Sequence, residues 1–142
     1  MQYTFNDGEF MSAREKELVL RAWVRFLKHG LRDADFTKRL YDHLIQHCSF
    51  IAHYNRSGFH RTYFGSGEDT VRFLSQFDKR GECRSVEYGW PWLCGSYADV
   101  NEAMVEEAAP YVPKLIENAE RAQRDADLAE AERLLAKHGL QQ

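Results

Sequence analysis

Hydrophobic residues recur along this chain at helical spacing, in blocks separated by glycine, proline and short polar runs. Ser12 with Glu15 three residues on is a capping-box signature, and Gly30 supplies a stop. Between them Val19, Leu20, Ala22, Trp23, Val24, Phe26 and Leu27 spread over the broad arc of a core-facing helix. Residues 1–11 read as an extended arm, with Tyr3, Phe5 and Phe10 around an Asn6-Asp7-Gly8 turn.

The second block, Asp35 to Phe59, is the one around which the rest is organised. Asp33 or Asp35 can cap it. Helical to Tyr54, it aligns Phe36, Leu40, His43, His47, Ile51 and Tyr54 on one stripe, with Lys38, Asp42, Gln46 and Ser49 opposite. Asn55-Arg56-Ser57-Gly58 ends it. The following FHRTYF is either a short helix or an extended connection, because period alone does not separate the two. Gly65-Ser66-Gly67 is a break, and VRFLSQF then reads as a short helix closed near Gly81.

Residues 79–96 are irregular, with three glycines, Pro91 between Trp90 and Trp92, and both Cys83 and Cys94. Helical pattern resumes at Tyr97 or Asp99 and runs through Ala109. Pro110 and Pro113 interrupt it, with Pro113 well placed as a first helical residue. The last block is helix-favouring by composition. Leu115, Ala119, Ala122, Ala126 and Ala129 share a face, and Asp127 with Glu130 signals a restart after a break near Asp125. AEAERLLAKHG has no second copy at a fixed period, so this is not a helical repeat array.

The expected fold is therefore all-α. It is a single domain over 1–142 of five or six helices, comprising the arm (1–11), a body (12–95) and a helical C-terminal segment (96–142). A chain of 142 residues suffices for one core. Charge divides it: the part up to Gly95 carries +2, whereas the remainder carries −5. Three cysteines with no CxxC spacing argue for a reducing compartment, and the N-terminus has no apolar core of a signal peptide, so a cytoplasmic protein is expected. No apolar run is long enough to span a bilayer.

Candidate chemistry comes from two places. His43 and His47, at i,i+4 spacing, project to one side of a helix, as two ligands of a divalent transition metal do. The Glu of HExxH is replaced by Leu44, which excludes a zincin-type hydrolase. The alternative for the pair is a polar notch in the core, hydrogen-bonded to backbone or tyrosine. Cys48 follows His47 but points about 100° away, so no Cys–His nucleophile forms locally.

On the first helix, Arg14, Arg21, Arg25, Lys28 and, with fraying, Arg32 fall within a band of roughly 60°. A solvated face is the ordinary reading of such a run. The functional reading is a docking ridge for phosphates or an acidic partner surface, helped by Arg56, Arg61, Tyr63, Trp90 and Trp92. Together these residues point first to a non-enzymatic interaction or regulatory protein with a protein or nucleoprotein partner. A metal-binding protein centred on His43 and His47, and a direct nucleic-acid binder, are the alternatives. A homodimer through the weakly apolar C-terminal helix is open as well.

Overall fold

The structure, a computed structural model, describes residues 3–48, 50–77 and 97–139. The expected loop at 79–96, with Trp90, Trp92, Cys83 and Cys94, lies outside them. The described residues are mostly helical and compact, with six α-helices and no strand, as the periodicity requires.

Helix α1 spans Ala13–Lys28, and its capping box is complete. The Glu15 amide donates to Ser12 Oγ at 3.2 Å while the Ser12 amide donates to Glu15 Oε1 at 3.3 Å. The helix stops in a Schellman arrangement. The Gly30 amide bonds the Leu27 carbonyl and the Leu31 amide bonds the Phe26 carbonyl, with Gly30 at φ +84°. A left-handed conformation costs little there because Gly30 has no Cβ. Val19, Leu20, Trp23, Phe26 and Leu27 are buried.

A 3-10 turn at Asp33–Asp35 leads to α2, Lys38–His47. Its cap is Thr37, whose hydroxyl accepts from the Leu40 amide, rather than either aspartate. The helix ends seven residues earlier than the stripe through Tyr54 requires. Ile51 and Tyr54 are consequently exposed, at 43% and 104%. The reason is local. Cys48 closes the helix, the Phe50 amide turns back to the Leu44 carbonyl, and this buries Phe50. His53 and Tyr54 then take positive φ before the next cap.

Asn55 begins a helix instead of ending one. Its side chain accepts from the Gly58 amide to open α3, Arg56–Phe64, so FHRTYF is helical. Ser66 caps α4, Gly67–Ser75, in the same way. Helix α5 is Ala98–Ala108, and α6 is Val112–His138 with Pro113 in its first turn. The expected break near Asp125 is absent from α6. No glycine or proline falls between Lys114 and His138, and the pairs Gln123–Asp127 and Glu130–Arg133 bridge the segment across successive turns.

Helix α1 packs on α5 and α2, α3 bridges α2 and α4, and α4 lies along α6. Rings fill the centre. Trp23 sits 4.7 Å from Phe77 and 6.3 Å from both Phe26 and Phe73, and Phe36 stacks on Phe59 at 5.4 Å. Such contacts add about 0.5–1.5 kcal/mol per pair beyond area burial. The Trp23 indole donates to the Met104 carbonyl at 2.8 Å, which fixes α5 against α1. That anchor sets the position of Asn101 and Asp99, about one turn and one and a half turns back along α5.

Candidate functional site

The two histidines of α2 sit at the seam between α2 and α5. His43 is 2% exposed, and Asn101, reaching across from α5, is 1% exposed. His43 Nε2 lies 2.8 Å from Asn101 Oδ1, and the Asn101 amide nitrogen donates to the His47 carbonyl at 3.0 Å. That second bond orients the amide, so Oδ1 must accept and His43 carries its proton on Nε2. Cys48 donates its thiol to the same oxygen at 3.4 Å. Nδ1 of His43 is therefore a buried lone pair, and it has no partner among the described residues.

Burial is the main reason that the His43 pKa falls to about 4, with the Asn101 bond working against the fall and the charges of His47 and Lys16 adding to it. Burial and then Lys16 also lower His47. Both rings are thus held toward the neutral form. The His47 ring packs on Tyr97 at 3.9 Å. Burial pushes the Cys48 thiol well up, the opposite of what a nucleophile needs.

Lys16 completes this region. It is 2% exposed and bonds both Asp99 oxygens at 3.1 and 3.0 Å, with its ammonium 5.4 Å from the Tyr97 ring. Neither Lys16 nor Asn101 stood out in the sequence, yet each had a signal. Lys16 lies on the stripe of Val19, Leu20 and Trp23, and Asn101 on that of Met104, Val105 and Ala108. A polar residue on a buried stripe demands a partner.

Among the described residues the histidine pair has no third ligand beside it. The ring centroids are 5.2 Å apart, but no three His, Cys, Asp or Glu side chains converge on an ion among the described residues.

The basic residues of α1 occupy an exposed face, and most are paired. Glu17 takes Arg14 at 3.5 Å and Arg21 at 2.7 Å. Arg32 lies beyond the helix end, but the 3-10 turn carries it back to the same face. There Asp35, with a side chain only 3% exposed, receives Arg25 at 3.3 Å, His29 at 3.2 Å and Arg32 at 2.8 Å. The Arg32 hydrogen bond is the largest influence holding the Asp35 carboxyl below its ordinary range. Lys28 and Arg61 are exposed without an ion pair among the described residues.

Two expected surface residues play other parts. Arg56 is a clamp: it bonds the Asp33 carboxylate and the Phe36 carbonyl, both at 2.9 Å. Tyr63 is 6% exposed and sits 4.5 Å from Phe59, so it belongs to the core and offers no stacking platform. Phe59 and Tyr63 are four residues apart on α3 and share its buried face. Trp90 and Trp92 lie outside the described residues.

Among the described residues, no helix is long and apolar enough to cross a membrane. Comparison with protein-family models, with curated proteins and with solved structures found no match.

Proposed function

We propose that this chain is a non-enzymatic interaction protein that docks an acidic protein surface on the basic face of α1 and the turn after it. The observation that carries this reading is the convergence of Arg25, His29 and Arg32 on the single buried carboxylate of Asp35. One anion meets two permanent cations, so the cluster keeps net positive charge. Arg25 and Arg32 remain 68% and 61% exposed while being held in place. Holding them in advance lowers the side-chain entropy lost on binding. Beside them a shallow cleft of about 450 Å³, with Arg21, Lys28 and Val24 in its wall, gives the face relief.

A protein partner suits this face better than a nucleic acid. Glu17 lies between Arg14 and Arg21, Glu107 lines the cleft, and the chain carries −3 overall. These carboxylates interrupt any continuous track for phosphates. Of the three aromatic residues near Arg56 and Arg61 that would stack bases, Phe59 and Tyr63 are in the core and Tyr54 alone is exposed.

The test pairs capture from host extract with binding to labelled duplex DNA and single-stranded RNA, using the full chain and an Arg21→Glu/Lys28→Glu variant. Both positions lie outside the Asp35 cluster, so the variant keeps its fold. The expected outcome is a partner protein released by salt and lost with the variant, with no variant-sensitive binding to either nucleic acid. Partners unaffected by the variant overturn the reading, and variant-sensitive nucleic-acid binding replaces it with the third alternative.

The metal reading rests on the free Nδ1 of His43 beside the His47 ring. Metal analysis of protein purified without an affinity tag, repeated on His43→Ala and His47→Ala variants, tests it. No bound metal in the unaltered chain ends that reading.

A further inference from the structure

A second cleft lies away from the basic face and shares no lining residue with the cleft there. It opens between the arm, the start of α1 and the exposed side of α2, with a volume of about 430 Å³. That is within the roughly 300–1,000 Å³ of small-molecule sites.

Its walls differ in chemistry. Met11 and Val19 supply a buried apolar side, and Phe10 stands at the edge, 76% exposed. Phe10 is held there by its backbone, whose amide donates to the Tyr97 hydroxyl at 3.1 Å. Glu15 contributes an anion from α1, its Oε1 already accepting from the Ser12 amide and hydroxyl at 3.3 Å, and the Lys38–Asp42 ion pair lines the α2 side. Arg39 contributes a cation from α2, with no hydrogen bond or ion pair among the described residues. Arg39 lies one turn before His43 on the same face of the helix.

His43 forms part of the cleft wall, and its Nδ1 is the buried acceptor left without a donor among the described residues. An unmet buried acceptor costs about 1–3 kcal/mol, and none of the described residues offsets it. A ligand N–H that reaches it from the cleft would recover that cost. The complementary molecule has a nitrogen donor for His43 and Glu15, a carboxylate for Arg39 and an apolar body for Met11, Val19 and Phe10.

We propose that this cleft is a binding site for a small zwitterion, a free α-amino acid with an apolar side chain. Free amino acids and chain termini share part of this chemistry. A peptide N-terminus has the ammonium but not the adjacent carboxylate, and a C-terminus has the reverse. The two groups together are what Glu15 on α1 and Arg39 on α2 select.

The experiment titrates full-length protein carrying 15N-labelled histidine with leucine, methionine and phenylalanine. Their methyl esters stand in for a peptide N-terminus and their N-acetyl derivatives for a C-terminus. The expected result is an upfield movement of the His43 Nδ1 resonance with at least one free amino acid. Binding is expected to weaken about tenfold or more in both derivatives and in Arg39→Glu, a change equivalent to about 1.4 kcal/mol. Arg39 is exposed and unpaired, so that variant is expected to keep its melting temperature. No movement of the His43 resonance at roughly 10 mM of any of the three, about ten times a 1 mM dissociation constant, overturns the proposal. Equal binding of a free amino acid and its ester or N-acetyl form overturns it too, as does binding unchanged in Arg39→Glu.

Discussion

Asn101 is the residue on which the histidine seam depends. Its amide meets His43 Nε2, the Cys48 thiol and the His47 carbonyl at once. Asn101→Ala leaves these buried polar groups unmet, and a loss of at least about 1–3 kcal/mol is expected by urea denaturation.

His43 makes stability depend on pH in a definite direction. Its pKa is about 4 in the fold against 6.5 when unperturbed, so between those values the unfolded chain holds the extra proton. The contribution is complete above pH 6.5 and is lost as the pH falls through about 4. Integrated, that amounts to at most roughly 3 kcal/mol. Denaturation curves of the wild type and His43→Gln, compared at steps across this window, should converge toward the acid end. A constant gap would contradict it. The chain's carboxylates titrate in both proteins and so cancel in the comparison.

At the scale of elements, α4 and α6 approach closely at Gly67. A Cβ on Gly67 would lie 2.1 Å from the Ala119 carbonyl oxygen and 3.0 Å from the Gln123 amide nitrogen. Both contacts are backbone and cannot step aside. Gly67→Ala must therefore push the two helices apart, and a loss of about 1–3 kcal/mol is expected from thermal melts. The Glu68 amide bond to Gln123 Oε1, 2.8 Å long, should be broken in the same variant. The small residue at position 119 thus serves the close packing of the first part of α6 alone.

The whole molecule is a ring-filled body with a projecting helical end. From Arg124 to Gly139 every residue of α6 and its cap is exposed, including Leu128 at 64%. The globular core draws on only Val112 and Ala119 as buried residues of that helix. Ending the chain after Asp127 should lower the helical signal in circular dichroism but shift the melting temperature by no more than a few degrees. A collapse of the melting temperature would mean that the projecting end is part of the cooperative unit.

What the sequence determined by itself was the helical class, the start of α1 and the buried faces. Periodicity and capping chemistry act over three or four residues, which is the range a sequence shows directly. Ser12 with Glu15 and the stripe from Val19 to Leu27 were legible for that reason. The end of α2 was not. Its pattern continues to Tyr54, but burial of Phe50 against Phe59, Tyr63 and Phe73 outweighs continuation of the helix. The partners of the charged and polar residues were not legible either. Lys16 and Asp99 are 83 positions apart, and His43 and Asn101 are 58 apart. Only the tertiary structure brings them together, because the packing of Trp23 on α5 decides which polar side chains meet once water is excluded.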